Sequence, residues 1–406
     1  MHAESLHANP APQNTGPDRC LVCDTPSPEA IPGFPLLTRI TSDCRPFRAG
    51  GRLAVCRNCG AVQKYPDAEW LHDISEIYSR YAAYYQGGGD EQVILDSRTG
   101  QIRRRSDVIL ERLTDSYNLP STGKALDIGC GSGVTLSALS RVLPSWQLYG
   151  QDLDKRNMAR LEAIPGFADM FDCAPGGIEG RYDLITLIHS LEHFPSPGSL
   201  LKSILAKLAP GGILLVQVCN TLQNPYDLLI ADHLTHFSPD TLKLLAENSG
   251  YTVKAVETAW VSKELSMIAV NSGQDRGEVS CACEAKGDEA SAFVHAQLKW
   301  LAEMEKSAGI ESRSGHFGIF GTSICATWLA GGLGEKVSFF VDEDPSRQGK
   351  DYMGKPVLSP LQAPTGSKVY LALVPEIAAK VGSRLVGCPF QLIHPPKLNT
   401  GPDMDG

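Results

Sequence analysis

Residues 125–136 read ALDIGCGSGVTL. The first half is a short apolar run suited to a buried strand, and the second half opens a helix. Between them stands Asp127-Ile128-Gly129-Cys130-Gly131-Ser132-Gly133, a DxGxGxG turn. Glycines in such a turn let the backbone take positive φ and come close to a ligand. The next strand-like stretch, WQLYGQDLD (146–154), carries Asp152 at its C-terminal tip. An acid there can accept both ribose hydroxyls of an adenosine. Dinucleotide-binding turns read GxGxxG, and this one does not.

Outward from that turn, residues 121–272 alternate short apolar runs with amphipathic ones. KALDI, QLYG, DLITLI and GILLVQV read as buried strands and the intervening segments as crossover helices, the pattern of a parallel, doubly wound sheet. Residues 1–17 read as a disordered lead-in without the basic-then-apolar plan of a signal peptide. Residues 18–65 are rich in Pro, Gly and Arg. Residues 66–120 read as a helical connector, with Tyr78, Tyr81, Tyr84 and Tyr85 ahead of the run Gly87–Gly89. A polar linker (273–290) precedes a second α/β unit (291–400). That unit opens with a helix over about 291–308 and repeats the strand logic in HFGIFG, KVSFFVDED, KVYLALV and FQLIHP.

The 406 residues are 42% hydrophobic and 20% charged, enough for two or three ordinary globular domains. A net charge of −9 argues against a nucleic-acid partner, which asks for a basic face. No apolar run approaches the roughly 20 residues that span a bilayer, so no membrane partner is expected. The expectation is a cytoplasmic protein whose twelve cysteines are thiols or metal ligands.

Cys20-x2-Cys23 and Cys56-x2-Cys59 are two knuckles separated by 32 residues. Each brings two thiolates to one side of a tight turn, and four complete a tetrahedral shell suited to Zn2+. Four thiolates leave no open position, so the site reads as structural. Cys44, between the knuckles, is a competing ligand, and two unrelated pairs of reduced cysteines are the plainer reading.

HSLEH (189–193) matches the H-x-x-E-H of zinc proteases, but His189 ends a strand and Pro195 and Pro197 shorten any helix that follows. His189, Glu192 and His193 read instead as lining of the ligand crevice at that strand's C-terminal tip. ADHLTHFSPD (231–240) follows the fifth strand and its long exit loop. Asp232 beside His233 can fix a ring tautomer and strengthen a base. His236 reads as structural, because Ser238-Pro239 looks like an N-cap with proline at the first helical position. A helix start without chemistry is the competing reading of the same stretch.

The DxGxGxG turn, Asp152, RYDLITLIHSLEHFPSP, KLAPGGILLVQV and HLTHFSPDTLKLLAENSGY together resemble the class I S-adenosylmethionine-dependent methyltransferases over about 150 residues. The resemblance implies that Gly129, Gly131 and Gly133 approach the methionyl part of the cofactor. It further implies that Asp127 orients the amino group, Asp152 holds the ribose, His189 lines the cofactor site, and Phe171 or Asp172 meets adenine.

The arrangement of a double-CxxC module, a methyltransferase core and a second α/β unit resembles the sugar-nucleotide C-methyltransferases acting on 4-keto deoxysugars. That resemblance implies an α/β fold: a Rossmann-like core with an N-terminal zinc-binding module and a C-terminal Rossmann-like domain, bearing GIFGTSICATWL and VDEDP. It implies S-adenosylmethionine and Zn2+ as cofactors, a nucleotide sugar as acceptor, and a monomer or homodimer. Asp232 and His233, with His193, would support enolate formation. O- or N-methylation of another sugar or small molecule is the competing function. A non-catalytic binding protein is a third, against which the intact DIGCGSG and Asp152 speak.

Overall fold

A computed structural model describes residues 19–81, 91, 93–96, 98–271 and 284–398. The lead-in, Tyr84, Tyr85, Gly87–Gly89 and most of the polar linker lie outside the described residues. Among the described residues no helix is long and apolar enough to cross a membrane.

The N-terminal part is built from short strands: β1 (Glu29–Ala30), β2 (Arg39–Ile40), β3 (Pro46–Phe47), β4 (Leu53–Val55) and β5 (Val62–Lys64). The second CxxC turn joins β4 to β5, and Gly60 closes it at φ 75°. Helix α1 (Ala68–Ser79) starts where the Asp67 side chain accepts from the Trp70 amide, and it buries Trp70, Asp73, Ile74 and Ile77 along one face. Asp73 is paired there with Arg39 at 2.8 Å, both 1% exposed.

The connector is not helical throughout. Strands β6 (Val93–Leu95) and β7 (Ile102–Arg104) form an antiparallel hairpin before helix α2 (Arg105–Ser116). β-Branched residues flank a turn whose Gly100 sits at φ 69°, and buried Asp96 accepts from Arg103 and Arg112. The expected helical reading loses here to turn chemistry.

The core follows as β8 (Lys124–Ile128), α3 (Val134–Val142), β9 (Gln147–Gln151), α4 (Met158–Glu162), β10 (Phe167–Phe171), β11 (Tyr182–Ile188), α5 (Pro197–Leu205) and β12 (Leu208–Cys219). It continues with β13 (Thr235–His236), α6 (Pro239–Asn248), β14 (Tyr251–Glu257) and β15 (Glu264–Asn271). Seven strands form one sheet in the order β10-β9-β8-β11-β12-β15-β14. The five from β10 to β12 are parallel, and only β15 runs against its neighbours. The order reverses between β8 and β11, and at such a switch point the strand ends open a crevice.

The last unit holds α7 (Glu284–Glu311), β16 (Phe317–Phe320), α8 (Ile324–Leu333), β17 (Phe339–Val341), β18 (Asp351–Tyr352), β19 (Lys355–Leu358), β20 (Lys368–Tyr370), α9 (Pro375–Arg384) and β21 (Gln391–Ile393). Its sheet order is β18-β19-β17-β16-β20-β21, parallel except at β18. Helix α7 begins at Glu284, inside the segment read as linker, so residues 284–290 are helical.

The parts are not separately folded bodies. Strand β13, from the core, pairs with β5 and completes the sheet β1-β4-β5-β13. One apolar cluster joins Phe34 and Leu53 of the N-terminal part, Tyr226 and Ile230 of the core, and Trp300 and Trp328 of the last unit. These side chains face a common interior, where aromatic burial stabilises the junction.

Candidate active site and metal cluster

The glycine turn sits at the C-terminal end of β8, on the switch-point crevice. Gly129, Gly131 and Gly133 all have positive φ (74°, 48° and 78°). A Cβ on Gly133 would lie 2.5 Å from Leu161 Cδ2, whereas one on Gly131 would face open space. Asp152 accepts from the Gly131 amide at 2.8 Å and from the Asp154 amide at 2.9 Å, which ties the tip of β9 to the turn. Buried Asp127 accepts from Thr186 Oγ1 at 2.6 Å, and burial, tempered by Thr186 and Thr135, pushes it up to about 7. The hydroxyls of Ser132 and Ser190 are buried at the turn and have no hydrogen-bond partner among the described residues. Open backbone at Gly131, an acid at the neighbouring strand tip and two unmet hydroxyls fit an adenosine-bearing ligand.

Phe171 is not in the crevice. The register of β10 on β9 shifts between Phe167 and Asp169, and Phe171 lies stacked on Tyr149 at 6.2 Å, packed towards the core. Asp172 is exposed at the rim and bonds Lys155 at 2.5 Å. The loop from Cys173 to Gly177 lines the crevice there instead.

His193 and His233 meet edge to face, ring centroids 4.7 Å apart, on the wall of a cleft of about 4050 Å³. His193 Nδ1 lies 3.0 Å from the Asp232 carbonyl oxygen and 3.1 Å from the Tyr78 hydroxyl. Burial, and next His233, lower the pKa of His193. Asp232 is not the partner of His233. Its carboxylate accepts from the Ser42 amide at 2.9 Å and the Ser42 hydroxyl at 2.5 Å, with His193 Nδ1 at 3.5 Å. The two residues sit on a turn closed by the His233 amide on the Ile230 carbonyl at 3.2 Å, and their side chains go to different partners.

His233 Nδ1 instead meets Asp227 Oδ1 at 2.7 Å, and His236 Nδ1 meets Asp227 Oδ2 at 2.8 Å. Asp227 lies in the turn Pro225–Leu229 and is 1% exposed. Burial opposes its ionisation, but His236 and His233 hold its carboxyl well below the usual range. Of the tyrosines, Tyr78 touches His193 and Tyr81 lies 3.4 Å from Ser42 Oγ.

His189, at the tip of β11 with φ 50°, is the centre of a second, half-buried network. Its Nε2 lies 3.1 Å from Glu264 Oε2 and 3.0 Å from Arg105 Nη1, and Glu264 also accepts from Gln217 at 2.6 Å. Burial alone would depress His189, but Glu264 outweighs it and Arg105, and the ring is lifted to about 9. Glu264 is held down to about 2 against burial, by His189 and then Arg105. Both Arg105 and His189 line the cleft. Sequence reading missed Glu264 and Arg105. The one available signal was an acid opening the strand that pairs with β12. The carboxylate of Glu192, 1% exposed, makes no hydrogen bond among the described residues; His189 Nδ1 lies 3.4 Å away, and the rings of His193 and His233 are close by.

Cys20, Cys23, Cys56 and Cys59 gather in one cluster, with Sγ–Sγ distances of 3.6 Å for Cys20–Cys59 and Cys23–Cys56. A tetrahedral Zn–S bond of about 2.3 Å sets sulfurs about 3.8 Å apart, so the spacing fits one ion. Val22 N and Asn58 Nδ2 approach the sulfurs at 3.4 and 3.6 Å, as donors do to thiolates. Cys44 is not in the cluster; it is buried elsewhere and lines the cleft.

Residues 99–256 match the family model of a methyltransferase domain, Methyltransf_23. The chain is similar to the ubiquinone biosynthesis O-methyltransferase of Psychrobacter arcticus, 25% identical over 158 residues, covering 32% of this chain and 59% of that protein. It is also similar to that of Proteus mirabilis, 27% identical over 126 residues (29% and 51%), and that of Bordetella avium, 30% over 118 residues (27% and 46%). The chain thus spans about half the length of these curated relatives. Among solved structures, the mitomycin 7-O-methyltransferase MmcR aligns with a TM-score of 0.36 at 16% identity, covering 41% of this chain and 54% of that one. Human N-acetylserotonin methyltransferase aligns with 0.35 at 16% identity (41% and 51%). With the glycine turn at the switch point of a seven-stranded sheet in which only β15 is reversed, residues 99–256 form a class I S-adenosylmethionine-dependent methyltransferase domain.

Proposed function

We propose that the chain is an S-adenosylmethionine-dependent C-methyltransferase acting beside the ketone of a 4-keto sugar nucleotide. The observation that carries this reading is the His193–His233 pair on the cleft wall, with His233 fixed through Nδ1 by buried Asp227. A ketone acidifies the neighbouring C–H, and a ring nitrogen so oriented suits its removal.

In this reading the cofactor, when bound, would supply an electrophilic methyl to the carbon beside the ketone, its sulfonium leaving as a neutral thioether. Gly129 to Gly133 and Asp127 hold its methionyl end, and Asp152 its ribose. His233 takes the proton from the carbon next to the ketone, and the C–H electrons move into an enolate. The proton leaves His233 to solvent. Tyr78 and His193 set the polarity of the wall where the enolate forms, and positioning supplies much of the rate. The cleft also reaches Ser323, Asp342 and Arg347 of the last unit, which leaves room for the nucleotide end. The four-cysteine cluster holds a structural Zn2+.

A second reading, O-methylation with His233 deprotonating a hydroxyl, draws on the O-methyltransferase names of the relatives. One experiment separates them. In D2O with S-adenosylhomocysteine, a C-methyltransferase exchanges the hydrogen beside the ketone of a 4-keto sugar nucleotide for deuterium, and His233→Ala does not. Methylation at oxygen without exchange would overturn the first reading in favour of the second.

A further inference from the structure

Lys64 closes strand β5 and is 1% exposed, yet its ammonium group is fully met. Nζ donates to the carbonyls of Ile230 and His233 at 2.5 and 2.8 Å, and lies 3.3 Å from His236 Nε2. An ammonium offers three protons and accepts none, so Nε2 of His236 must accept. The His236 ring proton then sits on Nδ1 and is donated to Asp227 Oδ2. The other oxygen of that carboxylate accepts from Nδ1 of His233, leaving Nε2 of His233 as the nitrogen without a proton. Two donors thus converge on Asp227, one ring backed by the Lys64 ammonium of the N-terminal module and the other the ring on the cleft wall.

We propose that Lys64 is a positioning residue for His233, acting through His236 and Asp227, so that the cysteine-bearing module fixes the carboxylate that orients the base. The proposal rests on reading His233 as the base. Strand pairing supports it: His236 lies on β13, which extends the module's own sheet alongside β5. Burial, and next Lys64, push His236 down to about 4, so it stays neutral at working pH. Burial also pushes Lys64 down to about 7, so the ammonium form that fixes the tautomers prevails below that pH. The charged groups facing Lys64 are Arg39, Asp227 and Asp232, and Asp227, Glu192 and His193 surround His233. The arrangement follows the logic of a base held by an acid, with one further ring and a cation behind it.

The test uses the full-length, zinc-loaded protein labelled with 15N-histidine and saturated with S-adenosylhomocysteine. Two-bond 1H–15N correlations at pH 6 read the tautomers directly. His233 and His236 are expected to carry their protons on Nδ1, the less common form of a free histidine side chain. Lys64→Met preserves length and packing but removes the donor. It is expected to move His236 to a mixture of tautomers, disturb the His233 signal, and lower kcat roughly tenfold. KM and S-adenosylhomocysteine affinity should stay within about twofold, a split that a purely structural loss would not give. A wild-type His233 protonated on Nε2, or tautomers unmoved by Lys64→Met, would overturn the proposal. If the variant does not fold, the wild-type spectrum decides alone. If the tautomers are as expected but no keto-sugar exchanges hydrogen, the functional reading fails while the relay stands.

Discussion

His233 Nδ1 and Asp227 Oδ1 are bonded at 2.7 Å across six residues of one loop, both side chains almost fully buried. The acid is not the residue next to the histidine but one in the preceding turn. An ionised carboxylate bonded to a ring N–H settles the tautomer and steadies the charge that forms when the ring takes a proton.

Replacing Asp227 by Asn should therefore preserve shape while removing that charge and freeing the tautomer. We expect kcat to fall about 10²-fold or more, with KM and cofactor affinity nearly unchanged. Steady-state kinetics with calorimetric binding of S-adenosylhomocysteine tests this. Equal losses in binding and turnover would indicate collapse of the loop instead.

Gly133 and Gly131 should separate packing from backbone strain. Gly133→Ala places a methyl 2.5 Å from Leu161 Cδ2 at φ 78°, and should cost about 1–3 kcal/mol in urea denaturation. Gly131→Ala meets no atom within 4 Å among the described residues at φ 48°, so its cost should be nearer 1 kcal/mol. Its larger effect should appear as weaker cofactor binding, measured by titration. Equal destabilisation by the two would contradict the packing argument.

Cys56→Ser should abolish stoichiometric zinc in mass-spectrometric metal analysis. The module that carries Lys64 and Ser42 should loosen with it, because metal binding at such a site is coupled to folding. Turnover and thermal stability should fall together, whereas Cys44→Ser should leave the metal content at one.

The His189 network gives a pH signature of definite sign. Its folded pKa of about 9 stands above the ordinary histidine value of 6.5. Its contribution to stability is thus complete below about 6.5 and is lost as pH rises through about 9. Glu264, held to about 2, contributes above its ordinary 4.5 and loses that contribution as pH falls through 2. Comparing wild type with His189→Gln in urea at pH 6 and pH 9.5 isolates the first effect. The stability difference should be larger at pH 6, and a gap that does not change with pH would rule the network out as its source.

The features legible in the sequence were those with short-range periodicity or spacing. Asp127 to Gly133 announces a strand, a tight turn and a helix within a dozen residues, and two CxxC pairs announce the four-cysteine cluster. Ser238-Pro239 marked the start of α6, and the capping geometry at Ser238 and Thr241 is what the structure contains. Asp227 was not legible, because nothing in NPYDLLIADHLTH says which acid turns towards which ring. Glu264 and Arg105 reach the site from a strand and a helix 159 residues apart, beyond any local pattern. Phe171 failed for a related reason: one shift of register on a short edge strand changes which way a side chain points.

The ladder between β5 and β13 also bears on how the chain is made. Lys64 and His236 are 172 residues apart, so the module's outermost strand emerges from the ribosome long after the rest of its sheet. At about 5–20 residues per second, translation leaves that sheet edge unpaired for roughly ten to thirty seconds. An unpaired edge is a template for mispairing. Early zinc capture by the four cysteines would hold the nascent module in register until the histidine-bearing strand arrives.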